Sequence, residues 1–149
     1  MKNHLGWVAL LAVTAMGSVR TKAQAAAVPA AGLGESRVFA FDEMTVRKTA
    51  NGGESRDVLH GALGTGEVVG VHESVQPAGA EPVALHAIHH SELIMVQEGT
   101  VAFEHDGRSE KVGPGGVIYV AFGTVHRVKN VGDGPAKYFV VQIGGDTKK

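Results

Sequence analysis

The sequence predicts an all-β fold, an antiparallel barrel or sandwich, on three observations. No stretch beyond residue 36 sustains the periodicity of an amphipathic helix. What recurs is a short β-rich run closed by turn residues. Gly supplies 21 of the 149 residues, about twice its usual share. With 5% aromatics and no low-complexity run, that marks many tight turns between short strands. A hydrophobic content of 44% against 19% charged residues provides for a core and excludes disorder throughout. The length suits one domain.

Taken in chain order, residues 1–25 read as a secretory signal peptide. Lys2 precedes a mostly apolar run from Leu5 to Val19, and Ala23-Gln24-Ala25 then offers small residues at a peptidase site. The apolar run is about 15 residues, short of the ~20 that cross a bilayer as a helix. Residues 26–36 read as a flexible leader, 37–145 as the folded domain and 146–149 as a tail. The expectation is an exported protein, periplasmic or extracellular, with no stable membrane insertion after processing. Val38–Phe41 is the first expected strand. Residues 42–66 are undecided, because Asn51-Gly52-Gly53 and then Gly61, Gly64 and Gly66 look loop-like. Val68–Val75 follows, ended by Pro77-Ala78-Gly79. The remaining expected strands are Val83–Ile88, Glu92–Gln97, Thr100–Glu104, Ser109–Val112, Val117–Ala121, Val125–Lys129 and Lys137–Ile143. Asp106-Gly107 is a hairpin turn in which both positions accept positive φ.

The charge balance narrows the chemistry. A formal net charge of −1 argues against a nucleic-acid binder, which needs a basic face for phosphates. Cys is absent, so disulfides, thiolate chemistry and Cys-type zinc sites are excluded. Eight His remain, three of them at His86, His89 and His90. Imidazole nitrogens with one carboxylate suit one divalent transition metal such as Mn, Fe, Co, Ni or Zn. Alternation puts His86 and Ile88 on one strand face. A turn at His89–Ser91 brings Glu92 alongside on the next strand. His126 lies far downstream and joins only if the sheet folds back, as a barrel does.

These segments resemble the two motifs of the cupin superfamily, in its small single-domain members. The first family motif runs Gly, His-x-His, three or four residues, Glu, six residues, Gly. Here Glu92 and Gly99 keep that spacing, and His86 stands for the first His. The second motif, Gly-x5-Pro-x-Gly-x2-His-x3-Asn, falls on Gly115, Gly123, His126 and Asn130, with Ala121 where Pro is usual. The likeness spans residues 68–143. It implies a double-stranded β-helix (jelly-roll) barrel with a metal in its mouth, held in the family by three His and one Glu, for which His86, Glu92 and His126 stand here.

The second His of the first motif falls on Ile88, which ligates nothing. Three readings stay open: a three-ligand site, a fourth ligand from His89 or His90, or a metal-free site that binds through hydrogen bonds. Ile88, Leu93, Met95, Tyr119, Phe122 and Phe139 are expected in the pocket wall, with Tyr119 and Gln142 as polar guides. His60 and His105, beside turns, are expected to be solvated, and His72 is left open. The resemblance further implies a metalloenzyme acting on a small organic molecule, oxygenase or other oxidoreductase first, lyase or isomerase second. The alternative is a non-catalytic module that binds a small ligand such as a sugar. A homodimer paired through sheet edges is also implied.

Overall fold

The computed structural model describes residues 32–145. Among them eleven strands form: β1 (Gly32–Leu33), β2 (Val46–Lys48), β3 (Glu54–Leu63), β4 (Val68–Gln76), β5 (His86–Ala87), β6 (Ser91–Glu98), β7 (Val101–His105), β8 (Arg108–Val112), β9 (Val117–Val120), β10 (Val125–Asn130) and β11 (Ala136–Ile143). The larger sheet has the order β1–β3–β4–β11–β6–β9, with β2 joined to β3, and the smaller sheet runs β5–β10–β7–β8. All pairings are antiparallel except β1 with β3. Among the described residues no helix is long and apolar enough to cross a membrane.

Alternation along the central strands explains where the core sits. In β6 the buried positions are Glu92, Ile94 and Val96, in β9 Ile118 and Val120, and in β11 Ala136, Tyr138 and Val140. Pairing carries that parity from strand to strand, since Glu92 stands opposite both Val120 and Gln142. The smaller sheet answers with Val101, Phe103 and Val128, and the two sets form one apolar cluster. Each aliphatic side chain buried there contributes about 1.5–3 kcal/mol. Two turns depend on positive φ. Asp106 and Gly107 both adopt it between β7 and β8. Gly99, between β6 and β7, has φ +74°, and a Cβ there would lie 2.4 Å from the Pro135 carbonyl oxygen.

The structure differs from the sequence reading in the first third of the domain. Val38–Phe41 forms no strand: Val38 is almost fully exposed with no partner, and Phe41 opens a short 3-10 turn, Phe41–Glu43, beneath the Arg56 guanidinium. The undecided stretch holds β2 and the ten-residue β3, and Gly61 is a buried strand residue paired with Val69. Only His86–Ala87 of the expected Val83–Ile88 strand is paired, opposite His126 and Val125. β1 lies within the segment read as leader and pairs with Ala62–Leu63. The signal-peptide segment, residues 1–25, and the tail lie outside the described residues.

Candidate metal centre and cavity

The two sheets meet around a cavity of about 360 Å³, lined among others by His86, His90, Glu92, His126, Gln142 and His72. His86 and His126 come from the smaller sheet, where β5 and β10 set them opposite one another with ring centroids 4.9 Å apart. Glu92 comes from β6 in the larger sheet. The cavity therefore receives two imidazoles from one wall and a carboxylate from the other.

The tautomers of both imidazoles follow from their partners. His86 Nδ1 lies 3.1 Å from the Ala84 carbonyl oxygen, and His126 Nδ1 lies 3.2 Å from that of Thr124. A carbonyl oxygen only accepts, so each Nδ1 carries the proton and each neutral ring keeps its lone pair on Nε2. This is the arrangement that orients a metal-ligating histidine. His126 Nε2 then stands 3.6 Å from Glu92 Oε2. A lone pair facing a carboxylate oxygen needs a second proton or a cation between them.

Glu92 is itself fixed. Its Oε1 accepts from His90 Nε2 at 2.8 Å and from Gln142 Nε2 at 3.3 Å. His90, one of the two residues weighed as a fourth ligand, thus holds the carboxylate through its Nε2. Gln142 reaches Glu92 because residue 70 opposite it is Gly; a Cβ there would lie 2.9 Å from Gln142 Oε1. Burial pushes the Glu92 carboxyl up. Hydrogen bonds from His126, His90 and Gln142 in the protonated state, and the charge on His90, outweigh burial and bring it from 4.5 down to about 2.

The donor set fits a divalent transition ion: two oriented imidazoles and one ionised carboxylate. A nitrogen and an oxygen 3.6 Å apart are within the span of two ligands about 2.0–2.2 Å from one ion. Among the described residues no group of three His, Asp or Glu is already gathered as a metal cage. Ile88 is buried and lines the cavity, so an apolar wall stands where the second family His would be.

Five of the expected pocket residues lie elsewhere. Met95 and Tyr119 are exposed on the opposite face, because Glu92 sets the even positions of β6, and pairing with Val120 does the same for β9. Leu93 and Phe139 share that outward parity. Phe122 sits in the β9–β10 turn, exposed, edge-on to the His89 ring at 6.0 Å. His105 is not simply solvated. It binds Glu110 at 2.8 Å and Asp106 at 3.1 Å, which raise its pKa above 6.5, and it stacks on Phe103.

The sequence reading missed a second group of lining residues: Ser74, Gln76 and Tyr138. Gln76 Nε2 donates to the Tyr138 hydroxyl at 2.7 Å and to the Val128 carbonyl at 3.2 Å. Its Oε1 accepts from Asn130 N at 2.8 Å, and Asn130 Nδ2 returns to the Gln76 carbonyl at 3.0 Å. The motif residue Asn130 thus fixes Gln76 rather than touching the imidazoles. The inward parity of Tyr138, two residues from Val140, was the signal available in the sequence.

Residues 71–142 match the Cupin domain family model. The architecture around that match is the double-stranded β-helix expected from the sequence. Among solved structures, an RmlC-like cupin from Shewanella frigidimarina is 18% identical with TM-score 0.62, over 75% of this chain and 95% of that one. A predicted oxalate decarboxylase from Thermotoga maritima is 21% identical with TM-score 0.58, over 72% and 98%. A cupin sugar phosphate isomerase from Silicibacter pomeroyi is 21% identical with TM-score 0.58, over 71% and 74%. These likenesses concern the fold. No curated protein matches the chain significantly.

Proposed function

We propose that this protein is a metal-dependent cupin enzyme of the oxygenase type, acting on a small organic molecule. The observation that carries the reading is the His126 Nε2–Glu92 Oε2 gap, where two acceptors face each other 3.6 Å apart. His86, Glu92 and His126 would hold one Mn, Fe, Co, Ni or Zn ion. When bound, such an ion supplies Lewis acidity toward a substrate oxygen. The chain's own groups prepare the place. The Ala84 and Thr124 carbonyls hold the imidazole tautomers, and His90 and Gln142 hold Glu92 Oε1 so that Oε2 faces His126. Ile88 adds no ligand, which leaves positions for substrate and dioxygen and favours oxygenase over lyase or isomerase chemistry.

The same reading has the protein acting after export, in the periplasm or outside the cell, on the strength of the apolar run and small-residue site before residue 26. It also has the chain paired as a homodimer. Support for pairing comes from β9, an end strand of the larger sheet that exposes Val117 and Tyr119.

Elemental analysis of protein purified without a metal-affinity step tests the centre. The expected result is one transition ion per chain in the wild type and loss of at least about 100-fold in affinity for His126→Ala. Equal, substoichiometric metal in both proteins would leave a ligand-binding module without a metal.

A further inference from the structure

The cavity has the buried Glu92 carboxylate at one end and the hydroxyls of Ser74 and Tyr138 toward the other, and register fixes the distance between them. Along β11, Gln142 stands level with Glu92, Val140 with Ile94 and His72, and Tyr138 with Ser74. Four residues of strand separate the Glu92 level from the Tyr138 level, about 13 Å. Resting on the reading of the His126–Glu92 end given above, we infer that the substrate is an uncharged molecule bearing a hydroxyl or carbonyl group that Ser74 and Tyr138 bind, and that phosphorylated and doubly carboxylated molecules are excluded.

Two observations lead there. The first is the charge of the lining. Among the described residues that line the cavity there is no Lys or Arg, while Glu54 and Glu92 are both present. Lys48 and Arg56, which reach the lining residue Glu54, are paired with it, and Arg56 also with the buried Glu73. A metal ion could balance one negative charge at the Glu92 end. A second negative charge on the ligand would meet no Lys or Arg in the lining, while His90 and His126 are engaged with Glu92 and His86 would serve the ion, so its desolvation cost is high. Oxalate and sugar phosphates, the substrates named for two of the solved neighbours, carry such charges.

The second observation is the polarity of the Tyr138 end. Because Asn130 N donates to Gln76 Oε1, the Gln76 amide is oriented, and its Nε2 must donate to the Tyr138 oxygen. Tyr138 therefore keeps its own proton. Burial pushes this phenol up to about 12, so it stays neutral, and register sets it opposite Ser74. Two adjacent hydroxyls offer one proton to give and lone pairs to accept with. That pairing matches an alcohol or a carbonyl.

Calorimetric titration of the full-length protein, incubated with Mn(II), Fe(II) or Zn(II), tests this with matched probes. The probes are xylose against xylose 5-phosphate, glycerol against glycerol 3-phosphate, and catechol against phthalate. At least one uncharged probe should bind, with its charged counterpart at least 10-fold weaker. Tyr138→Phe should weaken that probe about 10-fold, with unchanged metal content and less than a matching drop in thermal midpoint. Ser74→Ala should act in the same direction without touching the core aromatic. A charged counterpart that binds as tightly as its partner overturns the inference. So does the failure of every uncharged probe at millimolar concentration, or unaltered affinity in both variants. Uncharged-probe selectivity in protein that takes up no metal on incubation would overturn the metal reading and leave this one standing.

Discussion

The Glu92 end of the cavity and the Tyr138 end are built on the same strand, β11, yet they follow opposite electrostatic rules. At Glu92 an ionised carboxylate is buried and then surrounded by His90, His126 and Gln142. At Tyr138 the hydrogen-bonded side chains, Gln76, Asn130 and the phenol itself, are neutral, and their bonds are set by backbone partners. The difference shows a division of labour. Charge is concentrated where an ion can be held, and neutral polarity is placed where a ligand is to be recognised.

Acid should separate the two ends most clearly. The Glu92 carboxyl is held below its ordinary 4.5 in the fold, near 2. The stability it contributes is complete above pH 4.5 and is lost as pH falls toward 2, up to about 3 kcal/mol. Thermal melts of metal-free protein should therefore fall through that window, and Glu92→Gln should flatten the fall. The Tyr138 end contributes nothing to it. Its own test is Gln76→Leu, which strands Asn130 N and the Val128 carbonyl; the expected cost is about 2 kcal/mol in chemical denaturation, with metal content unchanged. Parallel loss of metal would show the ends to be coupled.

Two further substitutions act on the ionic end alone. Ile88→His introduces an imidazole where the side chain already faces the cavity, and metal retention against a chelator should rise about 10-fold. Apo stability should be unchanged or lower, since an unliganded buried imidazole is desolvated. If His90 or His89 already fills that position, Ile88→His should do little and their Ala variants should release metal. Gly70→Ala should have the smallest effect. The new Cβ displaces the Gln142 amide and removes its 3.3 Å bond to Glu92, so metal affinity should drop by less than about 10-fold.

The two ends were unequally legible in the sequence. Strands from Val68 onward were placed within a residue or two, except Val83–Ile88, where Pro82 lacks a donor and β10 reaches only His86 and Ala87. His86, Glu92 and His126 stood out because the chemistry needs those residue types at motif spacing. Ser74, Gln76 and Tyr138 carried no such mark. They are ordinary polar residues whose meaning depends on which strand lies beside which. β3 was hidden for a related reason. Gly61, Gly64 and Gly66 suggested a loop, yet Gly61 is buried within the strand and pairs with Val69, a partner visible only once β3 lies beside β4. Met95 and Tyr119 were drawn inward by their size alone, and strand parity decided otherwise.

The mounting of His86 bears on how fast anything held in the cavity can leave. Glu92 and His126 sit on strands paired on both sides, whereas His86 belongs to a two-residue strand at the margin of its sheet, tied only to β10. Such an element frays with a small fraction of the free energy of global unfolding. The residence time of an ion or ligand touching His86 is then set by the opening of β5, not by the stability of the barrel. Amide exchange at Ala87 and ion exchange from the cavity would share one clock.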